Sequence, residues 1–103
     1  MTEPLPIQIT ALAARQIRDA EAWWRVNRRA APNAIAHELQ RAFSLIAAQP
    51  QAGGRAASVR LPDVRRVFLP RIKYHLYYHV LDTPACVEIV ALWHARRGEG
   101  PPV

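Results

Sequence analysis

Between Arg65 and His94 the large apolar and aromatic residues of this chain fall into three runs, 65–69, 72–81 and 86–94, broken only at Pro70 and at Asp82-Thr83-Pro84. Val, Ile, Leu, Phe, Tyr and Trp at this density favour extended backbone. Breaks so short can reverse a chain, but they cannot carry the crossover that parallel strands require. The three runs are therefore expected as antiparallel neighbours in one sheet.

The first half of the sequence has a different period. Residues 7–9, Ile-Gln-Ile, alternate as a short strand, and Thr10 stands where a hydroxyl can cap a helix. A helix is expected from about Ala11 to Arg29, with Ala13, Ile17, Ala20 and Trp24 forming an apolar stripe at helical spacing. Pro32 ends it and Asn33 is the expected cap of a second helix, Ala34 to Gln49, whose stripe is Ile35, Leu39, Ala42, Phe43 and Ile46. Pro50, Gly53 and Gly54 close that helix, and residues 50–63 form a connection without a period. The order β-α-α-β-β-β predicts a single α+β domain over residues 1–103, a helical hairpin packed on one face of a mainly antiparallel sheet. Residues 1–6 and 98–103 are expected as flexible tails.

At 103 residues, with eighteen of the hydrophobic positions being alanine, the core is expected to be thin, which favours a stabilising partner. The formal charge is +6, and thirteen of the fourteen cations are arginines. Arginine grips carboxylate or phosphate through a planar fork, so the partner is expected to be acidic. Cys86 is the only cysteine, which excludes an internal disulfide and fits a reducing, cytoplasmic setting; no Cys and His cluster has the spacing of a metal site. The opening residues lack the basic and apolar order of a leader, and no apolar run is long enough to span a bilayer. No metal or cofactor is expected.

Alternation along the middle strand places Ile72, Tyr74, Leu76, Tyr78 and Val80 on a core face and Lys73, His75, Tyr77 and His79 on a solvent-facing ridge able to stack bases or hold phosphates. An ordinary solvated sheet face explains the same ridge. His75 and His79 are about 13 Å apart along a strand, too far to share a small metal ion. The last strand reads as an inner strand, with Glu88, Val90, Leu92 and His94 on one face and Val87, Ile89, Ala91 and Trp93 on the other. Glu88 is expected in water near the strand end or paired with an arginine. Where that strand runs out, His94, Arg96 and Arg97 arrive together and are the leading candidates for binding an anion or a target.

The Arg65-Arg66 pair, the strand Tyr74-x-Leu76-x-Tyr78-x-Val80 and the ending His94-x-Arg96-Arg97, in this order of elements, resemble the RelE/ParE superfamily of type II toxins, with the ending most similar to the ParE-like branch. The resemblance implies a toxin neutralised by a cognate antitoxin, acidic and ParD-like with a ribbon-helix-helix domain. It implies DNA gyrase as the target, inhibited by binding and without catalytic residues. His94, Arg96, Arg97, Lys73, His75, Tyr77 and His79 are then the expected target-binding residues, and Arg15, Arg18, Arg25, Arg65 and Arg66 the antitoxin-binding ones. The alternative within the superfamily is a RelE-like, ribosome-dependent mRNA endonuclease drawing on Arg66, Lys73 and His94, though Tyr78 belongs to the core face and no base stands beside it. A member that binds its antitoxin and poisons nothing is the third possibility. Direct nucleic-acid binding is left open.

Overall fold

A computed structural model describes residues 3–57, 59–98 and 100–103. Met1 and Thr2 of the expected amino-terminal tail, Ser58 of the connection and Glu99 of the carboxy-terminal tail lie outside the described residues. Strand β1 (Ile7–Ile9) leads into helix α1 (Ala11–Asn27) through Thr10, whose Oγ1 accepts the Ala13 N–H at 3.2 Å. A cap of this kind contributes about 1 kcal/mol. Helix α2 (Ala34–Ala48) begins after Asn33, but Asn33 makes no side-chain cap bond. Its backbone is not extended (φ −105°, ψ 15°), so the carboxamide is not set against the first turn, and the residue contributes its carbonyl to the His37 N–H instead.

The strands that follow are β2 (Gly54–Arg55), β3 (Arg65–Leu69), β4 (Tyr74–Asp82) and β5 (Ala85–His94). They form one sheet in the order β1-β5-β4-β3-β2, antiparallel throughout except for β1, which runs parallel to β5 across the long connection that such pairing needs. Strand β2 has two residues, too few for alternation to reveal it. Strand β4 starts two residues later than its composition suggests. Ile72 and Lys73 belong to the turn, where both of their N–H groups donate to the Leu69 carbonyl and Lys73 takes φ 64°.

Both helices pack on one face of the sheet. Ala13 and Ala20 of α1 and Ile35, Leu39, Ala42 and Ile46 of α2 meet Leu69, Leu76, Tyr78, Val87, Ile89 and Leu92. Ile17, Trp24 and Phe43 complete the expected stripes at the edge of this core. Glu38 of α2 is buried among these groups, with Arg41 and Arg71 at 3.7 and 3.8 Å.

The other face is not an open ridge. Tyr77, expected in solvent, is 2 % exposed and packs with Val64, Val90 and Ala91 under Ala56, Val59, Trp93 and Val103. The connection and the carboxy terminus fold over the sheet to make this second cluster. Arg60 N–H donates to the Val103 carbonyl at 2.6 Å, and Pro101 is buried. Residues 100–103, read from the sequence as part of a tail, thus lie against the sheet.

The pairing of β4 with β5 carries a further correction. Tyr77 lies opposite Ala91 but Tyr78 lies opposite Ile89, so Val90 is an extra residue in β5. A bulge of this kind shifts alternation by one position beyond it. Val87, Ile89 and Leu92 face the helices, while Val90 and Ala91 both belong to the far cluster, so Leu92 and Ala91 lie on the sides opposite to those that unbroken alternation from Val87 assigns them. The face predicted for Leu92 and His94 is therefore exchanged with that of Trp93.

Candidate functional site

Alternation delivers neighbouring residues at the end of β5 to opposite sides of the sheet, and the bulge decides which residue goes to which side. His94 lies opposite Tyr74 in the pairing with β4, and their rings meet edge to face at 5.0 Å. The Ala95 N–H donates to the Lys73 carbonyl at 2.8 Å, which ties the strand end to the β3–β4 turn. His94 Nδ1 then accepts the Arg96 N–H at 3.1 Å, so the neutral ring carries its proton on Nε2. Trp93 points the other way, and the Arg97 guanidinium lies over its ring at 4.2 Å from the centroid.

On the helix side these residues form one wall of a cleft of about 520 Å³, lined by Gln16, Asp19, Ala20 and Trp23 from α1 and by Tyr74, Leu92, His94, Arg96 and Arg97. Strand β1 pairs only with residues 87–89 of β5, and where it ends the Gln16 side chain takes over, accepting the Leu92 N–H at 2.9 Å. Trp23 is 47 % exposed, with the Arg28 guanidinium 5.3 Å from its ring. Burial pushes the Tyr74 phenol above its ordinary pKa, an effect that the nearby Arg97 charge opposes. The cleft thus offers indole and phenol surface beside two guanidinium groups, which suits a partner segment with both apolar and acidic side chains.

A second, smaller cleft of about 270 Å³ lies on the far face, where Arg66, His75, Tyr77, Trp93, His94, Ala95, Arg97, Gly98 and Gly100 meet. His94 and Arg97 line both clefts and form the divide between them. His75 has its Nδ1 buried without a hydrogen-bond partner, and burial, with the Arg66 charge second, lowers its pKa below the ordinary 6.5.

The sequence-predicted residues are distributed accordingly. His94, Arg96 and Arg97 do come together. His75 reaches the second cleft, and Tyr77 lines its floor as a buried ring. Lys73 lines neither cleft and sits exposed in the turn. His79 is drawn off the ridge altogether: its Nε2 lies 2.7 Å from Glu88 Oε1, directly across the β4–β5 pair. The partner of Glu88 is thus an imidazole rather than the expected arginine. Arg66 and His94 share the second cleft without Lys73, so the three residues of the nuclease alternative are not assembled there. Arg65 donates to the Gly53 carbonyl at 2.6 Å and to the Gln51 side chain, which binds it to the connection. Arg15, Arg18 and Arg25 are exposed on α1 and line neither cleft.

Gln16, Asp19 and Trp23 were not singled out by the sequence pattern. The signal for Trp23 was present: consecutive helical residues point about 100° apart, so Trp23 and Trp24 cannot both enter the core. Phe68, 44 % exposed, was legible in the same way, because its neighbours Val67 and Leu69 occupy the core face of β3.

Residues 7–98 match the family model described as ParE toxin of type II toxin-antitoxin system, parDE. No curated protein matches the chain in sequence. Among solved structures, a chain of the chromosomal ParDE TA system from P. aeruginosa superimposes with a TM-score of 0.72 at 16% identity, over 92% of this chain and 100% of that one. A chain of the intact E. coli RelBE toxin-antitoxin complex gives 0.64 at 17% identity, over 90% and 99%. The isolated E. coli RelE toxin gives 0.60 at 18% identity, over 92% and 88%. At these identities the superpositions establish the shared fold, and the family model covers all five strands and both helices. The chain belongs to the ParE toxin family of type II toxin-antitoxin systems, within the RelE/ParE fold.

Proposed function

We propose that this toxin acts by binding DNA gyrase, and that an acidic, ParD-like antitoxin holds it until released. The observation that carries this reading is the cleft between α1 and the end of β5, where Trp23 and Tyr74 lie beside His94, Arg96 and Arg97. Exposed indole with adjacent guanidinium groups is the composition of a protein-binding hot spot. Two of the groups a nuclease would draw on are engaged or set apart. The Tyr78 hydroxyl is bonded to Pro50 and Gly53, and Lys73 stands apart from the cleft shared by Arg66 and His94. Supercoiling and DNA-cleavage assays with purified toxin and gyrase test the proposal. Inhibition that is lost in Arg96→Ala/Arg97→Ala supports it, and no effect at concentrations that arrest growth removes it.

A second reading, a ribosome-dependent mRNA endonuclease, is favoured by one observation: Arg66, His75 and His94 line a single cleft in which His75 is held toward its neutral form. A neutral imidazole beside a guanidinium is suited to proton transfer at a phosphate. Cleavage of mRNA on the ribosome, abolished by His94→Ala, would select this reading over the first. If expression without an antitoxin leaves growth unchanged, both toxic readings fail.

A further inference from the structure

The residues on the far face of the sheet form a row that the gyrase reading does not require and of which the endonuclease reading uses only Arg66 and His75. Phe68 in β3 lies directly opposite His75 in β4, and His75 lies directly opposite Trp93 in β5. Cross-strand partners share a face, so three aromatic rings on three adjacent strands form a line about 10 Å long. The Phe68 and His75 rings are 5.1 Å apart, and Phe68 is 44 % exposed. Arg66 lies two residues along from Phe68 and faces the same way, while Arg97 covers one side of Trp93. Tyr77, two residues along from His75 on the same face, is buried beside the row with its ring 6.3 Å from that of His75.

We propose that this row is a stacking platform for single-stranded nucleic acid, with bases on Phe68 and His75 and the backbone phosphates on Arg66 and Arg97. Aromatic side chains spaced across neighbouring strands present faces on which unpaired bases stack, and every base has such a face, so binding of this kind tolerates any sequence. The lining brings two guanidinium groups, Arg66 and Arg97, to the ring row, and aromatic faces beside them suit bases better than the side chains of an acidic peptide. His75 being held toward its neutral form keeps its ring a stacking surface that loses no charge on desolvation. The platform binds a strand whether or not gyrase is the target, and it requires no cleavage.

The test is fluorescence anisotropy of full-length toxin with labelled single-stranded RNA, single-stranded DNA and duplex DNA, each about twelve nucleotides long, at low salt and across a salt titration. The variants are Phe68→Ala, Phe68→Tyr, Arg66→Ala and, on the distant α1–α2 turn, Arg29→Ala. Binding of either single strand, weakened about ten-fold by Phe68→Ala and preserved by Phe68→Tyr, supports the platform. Arg66→Ala should also reduce the salt slope by about one. The proposal is overturned if the toxin binds no single strand at low salt, or if duplex binds as tightly. It is also overturned if Phe68→Ala and Arg29→Ala weaken binding equally, since net charge alone would then explain the affinity. Phe68 is an exposed ring, and thermal unfolding of each variant confirms that the fold being compared is the same.

Discussion

The Tyr78 hydroxyl accepts the Gly53 N–H at 2.9 Å and donates to the Pro50 carbonyl at 2.8 Å, so a ring from the centre of the sheet holds the turn that ends α2. A Cβ at Gly53 would stand 2.8 Å from that hydroxyl and 3.0 Å from the Arg66 carbonyl, which explains glycine here by space alone. Removal of the hydroxyl in Tyr78→Phe leaves a buried N–H without its acceptor and should cost about 1–3 kcal/mol. Gly53→Ala should cost about as much through overpacking. Urea unfolding of the two variants measures both, and an unchanged midpoint in either would show that the turn is not anchored at this point.

Gln16 caps the Leu92 N–H where β1 ends. Gln16→Leu should therefore destabilise the toxin by about 1 kcal/mol, and exchange of the Leu92 amide should accelerate more than that of its neighbours in β5. Native-state hydrogen exchange reads both effects at the residue concerned.

His75 gives a pH dependence of definite sign. Its folded pKa is lowered by burial and by Arg66, so below pH 6.5 the unfolded chain takes up a proton more readily than the folded one. The stability associated with His75 is complete above the unfolded pKa and declines as the pH falls from 6.5 toward the folded value. Unfolding at pH 8 and pH 5 should show a smaller acid loss in His75→Gln than in the native chain. A His75 ring titrating above 6.5 by NMR would reverse the sign.

Trp23 and Arg97 occupy facing walls of the helix-side cleft. Trp23→Ala should weaken the toxin's partner in that cleft by about 2 kcal/mol, roughly thirty-fold, with little change in folding because the indole is half exposed. Arg18→Ala, on α1 but outside the cleft, should change affinity by less than about two-fold if the cleft is the contact. Titration of the purified antitoxin or of gyrase against each variant distinguishes the cleft from the rest of the α1 surface.

Several features of this toxin follow from local pattern alone. The helical stripes, the Thr10 cap, the three long strands and their antiparallel order are repeated over enough residues for period and turn chemistry to identify them. The resemblance of the 65–97 segment to the ParE-like branch rests on the same residues, and it agrees with the family to which the chain belongs. The His94, Arg96 and Arg97 cluster was legible because neighbours in sequence stay neighbours at a strand end.

Tertiary structure decided which way each side chain in the site faces and what covers it. Alternation assigns faces only while pairing is regular, and the extra residue Val90 is a property of β5 against β4, invisible in either strand alone. It turned His94 toward α1 and Trp93 toward Phe68 and His75. Tyr77 is buried by the connection and the carboxy terminus, His79 is taken by Glu88, and Trp23 reaches the cleft because α1 lies along β5. Each of these contacts joins residues separated by loops or by whole elements, so its free energy enters only when the chain has folded. Sequence thus determined the elements, their order and the cluster at 94–97, while long-range packing and one bulge determined the two surfaces that the cluster divides.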